Sequence, residues 1–101
     1  MDGRKVAALE VSLLVGGRNI LPGPPPERAL PALCITFYDE NRAMLGTAKV
    51  GPWQGTFPWT RQAQRIEVPP KAREAIVRIG LLGATGEIYF DAIEMRHVRS
   101  R

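Results

Sequence analysis

The stretch KAREAIVRIGLLG, residues 71–83, decides the fold class of this 101-residue chain. Alanine, arginine and glutamate are good helix formers, so a helix is the alternative for this segment. However, apolar residues alternate strictly from Ala75 to Leu81, which is the period of a half-buried strand. Gly80 and Gly83 also disfavour a helix. The stretch therefore predicts a β-strand.

Other segments show the same short period. Alternating apolar residues run through 5–15 and 32–39, and EIYFDAIEM (87–95) is rich in β-branched and aromatic residues. Weaker strands are predicted at 43–50 and 61–68, the first of them pairing back on 32–39 through the polar turn YDENR. The sequence therefore predicts about six strands in an all-β antiparallel sandwich.

Glycine and proline mark the breaks between these strands. They cluster at 16–17, 21–27, 51–55, 69–70 and 83–86. The proline loop at 22–26 is predicted to be a stiff, extended connector rather than a domain linker. We therefore expect a single β-sandwich domain over residues 4–98.

Composition limits the classes of partner. The chain is 45% hydrophobic and 24% charged, which is typical of a folded soluble domain. Its net charge is +4, but the basic residues are scattered among acids and only the tail RHVRSR (96–101) is locally dense. Such a tail is usually a solvated terminus, so we expect no nucleic-acid partner.

No membrane or export signal is read from the sequence. No apolar run approaches the roughly 18–20 residues of a membrane span, and Asp2 and Glu10 interrupt the N-terminal stretch in a way that signal peptides do not. We expect a protein that stays inside the cell, or a secreted one if this chain is a segment of a longer polypeptide.

Catalysis finds little support. Cys34 is the single cysteine and alternates within ALCITFY, which indicates packing, and only His97 is available to activate it. The chain shows no glycine-rich phosphate loop, zinc-ligand spacing or nucleophile elbow. The candidate acids Asp39, Glu40, Asp91 and Glu94 each have a structural explanation, so we interpret the protein as non-enzymatic.

Several short motifs, taken in order over residues 30–96, resemble a galactose-binding-like jelly roll, and within that group the carbohydrate-binding modules of families four and nine. The segments that carry the resemblance are Phe37-Tyr38-Asp39, Gly55 to Trp59, Val68-Pro69, the apolar strand at 75–82 and Gly86 to Ile93. The resemblance implies an accessory domain that binds saccharide weakly. Members of the family begin with further strands, whereas nothing comparable precedes Arg4 in this sequence.

The shortfall in strands has a structural consequence. A jelly roll has eight strands, so a chain with about six leaves a sheet edge exposed. A second copy of the chain or the rest of a larger polypeptide would have to cover that edge. The alternative function is therefore a structural or assembly domain that docks another domain or self-associates.

The two tryptophans receive different predictions. By the resemblance, Trp59 occupies a turn-to-strand position whose ring faces the core, where burial contributes about 2–3 kcal/mol. Trp53 lies in a predicted loop where no alternation demands burial, so we expect it to stack on a sugar. The alternative is that Trp53 caps the open end of the sandwich.

Further ligand contacts are predicted on the outer face of the sheet. Tyr38 and Tyr89 each adjoin a phenylalanine in sequence, so alternation directs them outward, where Gln64 and Arg78 would complete a shallow groove. An ordinary half-exposed sheet explains the same residues.

Asp91 stands in an otherwise apolar strand and needs a partner. The resemblance implies a structural calcium ion near this acid. The family often has two acids here, whereas Asp91 is followed by Ala92. An arginine salt bridge or a hydrogen bond from a turn amide is therefore the favoured alternative.

Overall fold

The computed structural model describes residues 2–99, which form six β-strands and no helix. The strands are β1 (Val6–Leu21), β2 (Ala32–Tyr38), β3 (Met44–Val50), β4 (Gly55–Glu67), β5 (Glu74–Gly80) and β6 (Thr85–Arg99). The all-β prediction is confirmed, including the strand in 71–83. Over these residues no helix has the length and apolar character that a membrane crossing requires.

The strands form two antiparallel sheets of three. The first, which we call the β1 sheet, has the order β4-β1-β6, and the second, the β2 sheet, has the order β3-β2-β5. The predicted hairpin of β2 and β3 is present, with Thr36 opposite Thr47 and their hydroxyl oxygens 3.1 Å apart.

One hydrophobic core joins the two sheets. Alternate side chains of a strand point to one face, so each central strand contributes every second residue to the core. These inward residues form one buried cluster, which includes Leu9, Val11, Leu13 and Val15 of β1 with Leu33, Ile35 and Phe37 of β2. Burial of this apolar surface, at about 25 cal/mol per Å², is the main force holding the sheets together.

Two predicted boundaries were wrong. The glycines at 16–17 do not end β1, which continues to Leu21. Gly17 is needed for close packing instead, because a Cβ there would lie 2.5 Å from Ile20 Cδ1 and 2.7 Å from Phe57 Cε1. At the other end of the chain, residues 96–99 belong to β6 rather than to a solvated tail, and residues 100–101 lie outside the described part.

The proline loop also differs from the prediction. Residues 25–27 form a turn, so the segment is not an extended connector. Two backbone hydrogen bonds fold it back, from Gly23 N to Ala29 O at 2.8 Å and from Arg28 N to Pro24 O at 3.2 Å. These local hydrogen bonds satisfy backbone groups that an extended proline segment would leave to water.

The N-terminal turn is fixed to the loop before β5. Gly3 N donates to Ala72 O at 2.8 Å, and the Asp2 carboxylate lies 3.1 Å from Arg4 Nη2 and 3.4 Å from Arg73 Nη1. Hydrogen bonds from the side chain and the backbone of Arg4 lower the pKa of the Asp2 carboxyl from 3.8 to about 2. This carboxylate therefore remains ionised into strongly acidic solution.

The two sides of the molecule differ. On the closed side β3 and β4 approach each other, and Gln64 Nε2 donates to Lys49 O at 3.1 Å. On the other side lie β5 and β6, which are edge strands as β3 and β4 are, since each outer strand pairs only with the central strand of its own sheet in the described residues. We call this the open side. Between its two strands lies a depression of about 320 Å³, whose lining includes Leu9, Ile35, Ala75, Val77, Met95 and His97.

Candidate functional site

The burial of the two tryptophans is the reverse of what the sequence predicts. Trp53 is only 8% exposed, lies in the shared core and contacts Phe90 edge to face, with ring centroids 5.7 Å apart. Trp59 is 55% exposed. The predictions that Trp59 is buried and that Trp53 presents its ring to a ligand were therefore wrong.

A β-bulge explains the orientation of Trp59. Val15 is opposite Thr60 and Gly17 is opposite Phe57, so Pro58 and Trp59 together face the single residue Gly16. A two-for-one bulge shifts the alternation by one residue and turns the following side chain to the other face. Phe57 packs against the core, while Trp59 points outward.

The exposed indole is paired with Tyr89 of β6. Their ring centroids lie 6.1 Å apart with an interplanar angle of 40°, on either side of Gly16 of β1. Tyr89 is 41% exposed, as its predicted outward orientation requires. Gly16 has no side chain to separate the rings, and a Cβ built there would lie 3.6 Å from Trp59 Cδ2. The rings therefore form a partly exposed aromatic surface above a glycine.

A polar depression of about 520 Å³ continues along the same outer face of the β1 sheet. We call it the outer trough. The short side chains of Ser12 and Ala63 lie opposite each other, among longer charged residues on the same face. Its lining includes Glu10 and Ser12 of β1, Arg61, Ala63 and Arg65 of β4, and Glu94 and Arg96 of β6.

The charges of the outer trough are only partly neutralised. Arg96 Nη2 lies 2.6 Å from Glu10 Oε2, and this hydrogen bond raises the pKa of the Arg96 guanidinium. Arg65 pairs with Glu67 at 3.2 Å. Arg61 and Glu94, in contrast, make no ion pair with any residue in 2–99. The trough thus keeps one cationic donor and one anionic acceptor available.

The phenol of Tyr89 is held in place. Its hydroxyl donates a hydrogen bond to the Glu87 carboxylate, and this bond, with some desolvation, raises the pKa of Tyr89 above its ordinary value. The hydroxyl therefore stays protonated near neutral pH, and the ring has a fixed polar edge.

The structure does not bring the predicted groove residues together. Tyr38 and Arg78 lie on the outer face of the β2 sheet, since Tyr38 is opposite Glu74 and Arg78 is opposite the outward Cys34. Tyr89 lies on the outer face of the other sheet, and Gln64 bridges the closed side. Of the predicted ligand residues, only Tyr89 belongs to the outer aromatic surface.

Asp91 has a backbone partner. Its Oδ1 accepts a hydrogen bond of 2.8 Å from Ala92 N, at a register shift where Ala92 has a φ of 50°. This is the amide alternative rather than the salt bridge. A calcium ion takes six or more oxygen ligands. Within residues 2–99, no three or more His, Cys, Asp or Glu residues are grouped so that they could hold a metal.

Cys34 and His97 do not form an obvious catalytic arrangement. Cys34 is 3% exposed and lies in the β2 sheet, whereas His97 lies in β6 of the β1 sheet and lines the open side. The burial of Cys34 agrees with a packing role.

No family model, curated protein or solved structure matches this chain.

Proposed function

We propose that this protein is a non-catalytic domain that binds saccharide weakly on the outer face of its β1 sheet. The observation that carries the proposal is the exposed ring pair of Trp59 and Tyr89 beside a polar trough. The C–H face of a sugar stacks on an aromatic ring, while its hydroxyls need polar partners at the rim. Both elements are present on one face of one sheet.

The polar partners are suited to hydroxyl groups. Arg61 supplies N–H donors, Glu94 supplies carboxylate acceptors, and the Ser12 hydroxyl can act in either sense. Because the trough is open to solvent, it covers only one side of a ligand. We therefore expect weak affinity, since most of the ligand's surface stays hydrated.

Titration with soluble glucans, xylan and galactans tests this proposal through tryptophan fluorescence. Trp53 is buried, so a shift on binding should come from Trp59. Trp59→Ala should abolish the response and Trp59→Phe should retain part of the affinity. Tyr38→Ala, on the outer face of the other sheet, is the matched control and should bind as the wild type does. Absence of a response to every sugar, or a response that survives Trp59→Ala, would remove the proposal.

We further propose that the fold is a jelly roll of the galactose-binding-like kind, and the strand order supports this. In an eight-stranded jelly roll the last strand lies between the first and the third, and the seventh lies between the second and the fourth. If β1 to β6 correspond to the third to the eighth strand, the orders β4-β1-β6 and β3-β2-β5 follow. The positions of the first and second strands then adjoin β6 and β5, at the open side.

This correspondence favours a second candidate function, an assembly domain that binds partner strands at the open side. The specific observation is that Val77 and Met95, which face the core side of β5 and β6, are 44% and 36% exposed. Peroxide oxidation of the protein from its natural source tests whether a partner covers them. Met95 should oxidise more slowly there than in the isolated chain, while Met44, 67% exposed on β3, should oxidise equally in both. Equal Met95 rates in the two preparations would argue against a partner.

A further inference from the structure

The open side combines free strand edges with apolar surface. β5 and β6 each have one edge without a partner strand in residues 2–99. The apolar side chains beside those edges include Ile76 at 46%, Val77 at 44%, Ile79 at 38%, Ile93 at 44% and Met95 at 36% exposure. Long edges with exposed apolar residues pair readily with other strands, and contiguous apolar surface usually marks an interface.

We infer that a second copy of this chain closes the open side, with sheet edge against sheet edge, an inference that rests on the assembly function. A two-fold axis perpendicular to the sheets sets β5 antiparallel to β5 of the second copy. The same axis sets β6 antiparallel to β6 of the second copy. One symmetry operation therefore extends both sheets and joins the two cores, as an isologous interface requires.

The charges of β5 favour one register, in which Glu74 is shared between Arg42 of its own chain, 3.9 Å away, and Arg78 of the second copy. With the axis at Ile76, Glu74 lies opposite Arg78 of the second copy, and Ile76 lies opposite its own equivalent. These three residues share the outer face, because each is opposite an outward residue of β2. Ala75 then meets Val77 of the second copy on the inner face. Registers centred on Glu74 or on Arg78 would instead oppose like charges, which is destabilising.

The charges of β6 favour a matching register, in which Arg96 is shared between Glu10 of its own chain and Glu94 of the second copy. With the axis at Met95, Glu94 lies opposite Arg96 of the second copy on the outer face, and Met95 lies opposite its own equivalent on the inner face. Centring on Glu94 or Arg96 would again oppose like charges. Val77 and Met95 line the same depression of about 320 Å³, so one axis is able to serve both strands. The pairing of opposite charges on both strands favours a second copy as the occupant.

Sedimentation velocity of the full chain over a range of concentrations tests the inference. We expect a reversible dimer, and Val77→Lys should convert it to a monomer because a lysine would enter the joined core. Val77 is 44% exposed in the single chain, so this variant should still fold, which far-UV circular dichroism checks. Met44→Lys, on the opposite edge of the β2 sheet, is the matched control and should remain dimeric.

Charge reversal tests the register itself. Glu74→Arg and Arg78→Glu should each raise the dimer dissociation constant about tenfold at low salt, because each opposes like charges twice. The double variant should return to within about threefold of the wild type, since it restores opposite pairs. A double variant as weak as the single ones would overturn the register.

The outcomes separate this inference from the assembly function. A wild-type chain that stays monomeric overturns self-association. Met95 protection in the natural preparation alone would then show that a different protein supplies the strands. A dimer that Val77→Lys does not weaken uses another surface and overturns the inference.

Discussion

Replacing Trp53 with alanine removes the indole from the shared core and provides the most direct test of the packing. The ring is 8% exposed and meets Phe90 edge to face at 5.7 Å. The loop that carries Trp53 is also held by a hydrogen bond of 3.1 Å from Trp53 N to Pro31 O, the residue just before β2. That backbone bond survives the substitution, so the loss of packing dominates the effect.

The expected magnitudes differ between the two tryptophans. Truncating a buried tryptophan to alanine costs about 3–5 kcal/mol, and this includes the roughly 0.5–1.5 kcal/mol of an edge-to-face pair. A domain of this size has a total stability of about 5–10 kcal/mol, so Trp53→Ala should fold only marginally. Trp59 is already 55% exposed, and Trp59→Ala should cost about 1–1.5 kcal/mol. Trp53→Phe, expected to cost about 1–2 kcal/mol, keeps the test informative if the alanine variant does not fold.

Urea unfolding followed by far-UV circular dichroism measures these free energies without depending on either indole. Iodide quenching adds an independent readout, in which Trp59 of the Trp53→Phe protein should be quenched strongly. Trp53 of the Trp59→Phe protein should be quenched weakly. The reasoning fails if Trp59→Ala costs as much as Trp53→Ala, or if iodide reaches both rings equally.

Two further predictions concern adjacent glycines and the N-terminal acid. Gly17→Ala should lower the unfolding free energy by about 1–3 kcal/mol because its new methyl group would overlap core atoms, whereas Gly16→Ala meets only ordinary contacts and should change it by less than about 0.5 kcal/mol. Similar thermal unfolding of the two variants would contradict this. Asp2 has a depressed pKa in the folded state, so its ion pairs stabilise the protein above pH 3.8 and are lost as the pH falls towards about 2. The stability difference between wild type and Asp2→Asn should therefore shrink over that interval, and a difference that stays constant would be the contrary result.

The strands were predictable from the sequence because alternation is a local signal. Side chains of β1, β2 and β5 alternate between the two faces of their sheets, and this leaves a period of two in the sequence. The strand in 71–83 prevailed over helix propensity for this reason, since cross-strand partners outweigh small intrinsic preferences.

The error over the tryptophans has a physical cause. Alternation predicts a side chain's direction only while the register is unbroken, and the bulge at 58–59 breaks it just before the ring of Trp59. Pro58 was a usable signal, because a proline within a strand is tolerated mainly at edges and bulges. A glycine pair in the sequence is consistent either with a turn or with close packing of the backbone. At Gly17 the side chains of Ile20 and Phe57 lie too close for a Cβ, so close packing is the reason for the glycine.

The candidate site was less predictable than the strands. The outer aromatic surface joins Gly16, Trp59 and Tyr89 from three different strands, and their proximity depends on the sheet order rather than on spacing in the sequence. Alternation correctly predicted that Tyr89 points outward, but the groove predicted for it included Tyr38, which lies on the other sheet. Such long-range pairing carries no local signature.

Cys34 can report local opening of the β2 sheet because its side chain is buried. Its sulfur is the only thiol of the chain and sits in the middle strand of a sheet, with β3 on one side and β5 on the other. A thiol reagent reaches that atom only when the side chains that cover it on the outer face of the β2 sheet move aside. The labelling rate at this single atom therefore measures how often the cover over Cys34 opens under native conditions, with no introduced probe.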